Sequence, residues 1–241
     1  SLIYQCKQAL LSRYRKHVRF VIAPQEDRLQ MVKGDYINAN CFLVHNAPSS
    51  LINFTTPSNL KTKAILYQGR ISQLSLADDL IAFVEALPVD IEMHIAGIVN
   101  KEYVDKINSL NNKPNVTFHG YLKWGALAEL RNKCNIGILA WSNDTLNTKY
   151  CAPNKLYEYI ASGMYVVCFE NFSLSKFHQE FSFGHLEHNT AKDLATFVTS
   201  LTMGDIIEQG NKNHQLFNNK LNFEMQSRAF FDSFFDSISY R

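Results

Sequence analysis

From Ala64 to Phe169 short apolar runs alternate with stretches whose apolar residues recur at helical spacing, and that alternation constrains the fold more than any composition does. AILYQG (residues 64–69), IEMHIAG (91–97), NVTFHG (115–120), NIGILA (135–140) and YVVCF (165–169) read as strands. Between them Leu76, Leu80, Ile81, Val84 and Leu87, then Val104, Ile107 and Leu110, then Leu127, Leu130 and Cys134 fall on single helical faces. Ser75 with Asp78 reads as a capping box that starts the first of these helices. Strands this apolar are expected to be buried on both sides, and strands separated by helices of about ten residues imply right-handed βαβ units. The expected class is therefore α/β, with a doubly wound parallel sheet and a partial second domain.

Ligands of such sheets bind outside the carboxyl ends of the strands, here Gly69-Arg70, Gly97, Gly120-Tyr121 and the 141–151 connection. Glycines at three of those ends suit a backbone that a ligand approaches closely, although tight turns alone would also select them. Beyond Phe169 the pattern reads as helical, with Thr190 and Asp193 capping one helix. Residues 1–48 do not fit the domain that follows: a helical segment near Leu2 to Lys16, two short strands and the charged PQEDR stretch cannot build a core. The expected layout is thus a remnant over 1–48, a linker over 49–63, the main domain over 64–220 and a final helix over 221–241. That helix carries an apolar stripe from Phe223 to Ile238, which needs something to cover it.

APNKLYEYIASGMYVV (152–167) carries the chemistry. Pro153 suits a first helical position and Gly163 a left-handed stop. The N–H groups around Asn154, Lys155 and Leu156 offer an anion site, to which Lys155 adds a charge. Glu158 lies one turn above Asn154, where a carboxylate can accept from a ribose diol, so the pattern fits a nucleoside diphosphate; a solvated Glu and Lys on an ordinary helix would read the same way.

Composition narrows the partners. A net charge of +2 provides no field for nucleic acid, and neither GxGxxG nor a Walker A motif occurs. Five scattered cysteines suit reduced thiols and a cytoplasmic setting, and no Cys/His spacing suits a metal. No run of about 18 apolar residues and no signal peptide is present. The eight histidines show no triad-like or metal-like clustering.

Together, YQGRI (67–71), HIAG (94–97), NVTFHGYL (115–122), NIGILA and the 152–167 block resemble the carboxyl-terminal half of GT-B glycosyltransferases of the family 4 (group 1) type, over roughly residues 15–240. The resemblance implies a Rossmann-like domain that binds a nucleoside diphosphate sugar without metal or cofactor. The partner would be a hydroxyl acceptor, a sugar or lipid-linked sugar, in polysaccharide or glycoconjugate biosynthesis, with peripheral membrane association of the full-length protein. By position it implies that Arg70 meets the diphosphate; Gly69, Gly97, Pro153, Asn154, Lys155 and Leu156 are the further substrate-binding candidates, and Arg70 and Lys155 are expected to act in catalysis. Tyr121 and Leu122 form the turn that reads the base, and Glu158 is the second acid of a Glu-x7-Glu signature that binds the ribose. Two positions depart from the pattern: Tyr150 stands where the first acid falls, and Ser75 where a second phosphate-binding cation falls. On this reading the 221–241 helix crosses back onto the 1–48 remnant, and Ser1-Leu2 is the start of a truncated, inactive donor-binding part. A nucleotide-sugar epimerase of the same fold and a non-catalytic nucleotide-sugar-binding subunit are the alternatives.

Overall fold

Period-two alternation sends neighbouring strand residues to opposite faces, and both faces of the main sheet are apolar. In the computed structural model, which describes residues 12–57, 60–110 and 112–239, six parallel strands lie in the order β5-β4-β3-β6-β7-β8. They are β3 (Ala64–Gln68), β4 (Glu92–Ala96), β5 (Val116–Gly120), β6 (Ile136–Leu139), β7 (Tyr165–Phe169) and β8 (Gly184–Glu187). Ile65, Tyr67, Met93, Ile95, Ile136 and Ile138 face one core with Leu80, Val84 and Ile107. Ala64, Leu66, Val166 and Cys168 face the other with Leu156, Tyr159, Ile160 and Phe177. The chain runs outward from β3 to β5 and returns to β6 beside β3, so the strand order reverses between those two. A crevice opens at the carboxyl ends of strands at such a switch point.

The expectation that only helices follow Phe169 is corrected by β8, which pairs in parallel with β7 from Val166–Gly184 to Phe169–Glu187. Its sequence, GHLE, is too short and too polar to show a strand period. Ser75 does not start the next helix either. That helix is Ala77–Ala86, preceded by Leu76 at φ 47°, whereas Ser75 closes a 3-10 turn in which Ser72 N donates to Ser75 Oγ at 2.8 Å. Thr190 and Asp193 do form the expected box.

Before this domain, β1 (Phe20–Ala23) and β2 (Asn40–Leu43) pair in parallel around the helix Glu26–Lys33. Of the helix expected over Leu2 to Lys16, residues 1–11 lie outside the described residues, and residues 12–15 are helical. The final helix, Phe223–Ser239, lies on this strand pair, with the Phe230 ring 5.8 Å from Phe20 and 5.6 Å from Phe42. The 49–57 stretch is laid on the main domain: Phe54 meets Phe217 at 5.6 Å, and Thr55 Oγ1 donates to Asn132 Oδ1 at 2.7 Å. No helix among the described residues is long and apolar enough to cross a membrane.

Ser49 Oγ and Ser50 N donate to the Glu224 carboxylate, anchoring the start of the last helix and pulling Glu224 from 4.5 down to about 2. A depressed carboxyl pKa contributes stability above the unfolded value and loses it as pH falls through the folded one. Glu224→Gln should therefore lose less stability than the native chain between pH 4.5 and pH 2. The difference should stay under about 1 kcal/mol, because the group is at the surface. Urea midpoints across that range test this, and equal acid sensitivity in both proteins would refute it.

Candidate functional site

The helix that carries the site spans Asn154–Ala161, and Tyr159 fixes it to the sheet. The Tyr159 ring crosses Gly137 on β6 so closely that a Cβ there would stand 2.4 Å from it. Its hydroxyl accepts from Gln68 N at 3.0 Å and donates to Leu66 O at 3.1 Å. The tyrosine thus serves backbone groups of β3 in the sheet interior, and burial raises its pKa well above the ordinary value, so it stays a neutral donor. One residue earlier, Glu158 is brought to the carboxyl end of β3. There its Oε2 accepts from Arg131 Nη1 at 3.0 Å and from Gln68 Nε2. Burial lowers the Arg131 pKa and the Glu158 charge opposes that shift.

The loop after β3 is held just as firmly. Tyr67 Oη and Ser75 Oγ each donate to Arg70 O at 2.7 Å, and Arg70 Nη1 donates to Asn100 Oδ1 at 3.1 Å. Burial pushes the Tyr67 hydroxyl up to about 12. Where the resemblance would place a cation, Ser75 therefore clamps the backbone of Arg70. Gly69 N donates to Ala96 O at 2.9 Å, and Gly97 N to Gly120 O at 2.8 Å, which aligns the three glycine-bearing strand ends. Gly97 has a packing reason of its own: at φ +155°, its added Cβ would lie 1.6 Å from Gly69 O.

Two adjoining cavities open at these ends. The larger, about 290 Å³, is walled by Gly97, Ile98, Tyr121, Leu122, Trp124 and Leu127, and Gln68 and Glu158 also line it. The smaller, about 190 Å³, runs between the ends of β3 and β6 past Ser72, Leu74 and Trp141. Gln68, Gly69, Arg70 and Lys155 line both, and the Lys155 side chain lies over Gly69. The junction is cationic. Of the residues expected at the site, Gly69, Arg70, Gly97, Tyr121, Leu122, Lys155 and Glu158 meet in the larger cavity.

Three others do not meet there. Leu156 is buried in the core, Pro153 precedes the helix as its N-cap and lines a separate cavity beside Arg28 and Asn46, and Asn154 lines another beside Pro24 and His45. The reason is helical geometry: at about 100° per residue, Asn154 and Leu156 lie about 160° apart around the helix and cannot both face one cleft, and Pro153 stands ahead of its first turn. Tyr150 lines neither of the two adjoining cavities; its ring packs edge-on against Phe172 at 5.3 Å. Sequence reasoning missed Gln68 and Arg131. The alternation along β3 could have placed Gln68 on the Glu158 side, but Arg131 reads as an ordinary last-turn helix cation. The histidines contain one pair hidden in the sequence, His94 Nδ1 and His119 Nε2 at 3.0 Å, yet no histidine lines either adjoining cavity.

The fold is shared with several glycosyltransferase structures. The S. aureus protein TarM, solved as a mutant with fondaparinux, alpha-GlcNAc-glycerol and UDP, superposes with a TM-score of 0.69 at 18% identity, over 95% of this chain and 46% of TarM. Anabaena HepE, solved with UDP and glucose, gives 0.69 at 12% identity over 95% and 66%. Sucrose-phosphate synthase from Thermosynechococcus elongatus gives 0.70 at 13% identity over 98% and 63%. The chain therefore spans between about half and two thirds of the length of these proteins. No curated protein matches its sequence. Residues 50–220, well over half of the chain, match the family described as Glycosyl transferases group 1, and the chain belongs to that family.

Proposed function

We propose that this chain is the donor-binding part of a glycosyltransferase that moves a sugar from a nucleoside diphosphate sugar to a hydroxyl acceptor, a sugar or lipid-linked sugar, in polysaccharide or glycoconjugate biosynthesis. The observation that carries the reading is the shared junction: Arg70 and Lys155 line both cavities, while Glu158 lines the larger one alone. A nucleoside would occupy the larger cavity, its base between Ile98 and the Tyr121-Leu122 turn and its ribose on Glu158. The diphosphate would lie at the junction and the sugar in the smaller cavity beside Trp141. Arg70 and Lys155 would then offset the charge that develops on the departing diphosphate. UDP is the nucleotide of choice for a first test, since TarM and HepE are solved with it. The free thiols of Cys41, Cys134, Cys151 and Cys168 support a reducing, cytoplasmic setting.

An epimerase would need a base poised for elimination. The one carboxylate lining the two cavities is already paired with Arg131, and no histidine lines them. The transferase reading is therefore preferred.

Calorimetric titration of uridine, UMP and UDP tests the assignment. The native chain should bind UDP most tightly. Arg70→Ala should weaken UDP by about tenfold, close to 1.4 kcal/mol, and leave uridine unchanged. The loss should shrink in 0.5 M salt, because Arg70 is exposed and its contact is screened. Equal losses for uridine and UDP would remove Arg70 from the diphosphate site.

A further inference from the structure

Arg131 has three kinds of neighbour at once. Its side chain is 2% exposed, its Nη1 donates to Glu158 Oε2 at 3.0 Å, and its guanidinium lies 4.7 Å from the Trp124 ring and 5.7 Å from the Phe54 ring. Nη1 also reaches Gln68 Oε1 at 3.4 Å, while the Gln68 amide donates to the same Glu158 oxygen. Gln68 and Arg131 therefore converge on one carboxylate oxygen, from the end of β3 and from the last turn of the Trp124–Arg131 helix. Both donors take Oε2, and Oε1 has no hydrogen-bond partner among the described residues.

A carboxylate on a helix surface ordinarily samples several rotamers, and fixing it costs side-chain entropy. Here one oxygen is held by a charged donor and an amide, so that entropy is lost during folding rather than on ligand binding. Trp124, which walls the same cavity, leans on the guanidinium that holds the carboxylate. We infer that Arg131, assisted by Gln68, is a positioning residue for nucleoside recognition: it holds Glu158 by one oxygen so that the other is presented to the ribose diol. The inference rests on the donor-site reading above, in which Glu158 meets the ribose.

Ribose discrimination separates this role from a merely structural one. Titrations with UDP and 2′-deoxy-UDP are compared for the native chain, Arg131→Met, Arg131→Lys, Gln68→Leu, and Arg131→Met in a Glu158→Gln background. The native chain should prefer UDP by about tenfold. Arg131→Met should reduce that preference to under about twofold while its affinity for 2′-deoxy-UDP stays within about threefold of native. Arg131→Lys should recover part of the preference, because a lysine restores the charge but not the planar fork. In the Glu158→Gln background Arg131→Met should change UDP affinity by less than about twofold, since the two groups act as one unit. Gln68→Leu, which leaves the buried ion pair in place, should lower the preference in the same direction and serves if Arg131→Met does not fold. A full preference retained in Arg131→Met or Gln68→Leu, or equal losses for both nucleotides, overturns the positioning role and leaves the donor site standing. A native chain that binds UDP without discriminating the ribose overturns the Glu158 assignment and this inference with it.

Discussion

Glu158→Gln is expected to cost the protein twice, in UDP affinity and in fold stability. On the donor-site reading the carboxylate accepts charge-assisted hydrogen bonds from the ribose, each worth about 1.5–3 kcal/mol gross. Its loss should raise the UDP Kd roughly tenfold to a hundredfold, with little dependence on salt. The stability cost comes from Arg131. That guanidinium is buried with Glu158 as its ion partner, and removing one member of a buried pair leaves a charge in a medium that solvates it poorly. About 3–5 kcal/mol is expected, a fall in Tm of roughly 6–20 °C for a chain of this size. Arg131→Met introduced together with Glu158→Gln should recover much of the stability but none of the affinity. Thermal unfolding of both variants beside UDP titration checks the two effects separately, and an unchanged Tm in Glu158→Gln would show that the pair does not carry its charge buried in solution.

Gly97→Ala should be the most damaging substitution that adds a single methyl group. The new Cβ would sit 1.6 Å from Gly69 O at a φ of +155°, which alanine rarely adopts. Relief requires β3 and β4 to separate at their ends, yet Gly69 N–Ala96 O and Gly97 N–Gly120 O tie those ends together. A cost of about 3–5 kcal/mol follows from lost hydrogen bonds and strain combined. Because Gly69 and Gly97 both line the larger cavity, UDP binding should weaken by tenfold or more in whatever fraction still folds. Gly125→Ala is the control: nothing lies within 4 Å of a Cβ there, and a helical alanine should be neutral or stabilising by up to about 1 kcal/mol. Equal unfolding midpoints for the two variants would rule out the close approach at Gly97.

What the sequence determined by itself were the elements whose signals are local. The five strands from β3 to β7 are short runs rich in apolar residues, and the Thr190-Asp193 box and the Asn154–Ala161 helix announce themselves within a few residues. That Arg70, Lys155 and Glu158 would come together at one cavity was legible because strand ends and helix starts are where the chain leaves its hydrogen-bonding pattern and where crevices of such sheets open. Only the tertiary structure decided the rest. Ser75 became a clamp on Arg70 rather than a helix cap, β8 became a strand because β7 offered it an edge, and Leu156 turned into the core while Glu158, two residues on, turned to the cavity. Arg131 and Gln68 are separated from Glu158 by 27 and 90 positions, and nothing local marks them as its partners. Burial and pairing are properties of distance in space, and a parallel sheet, by joining strands through long crossovers, brings together residues that the sequence keeps farthest apart.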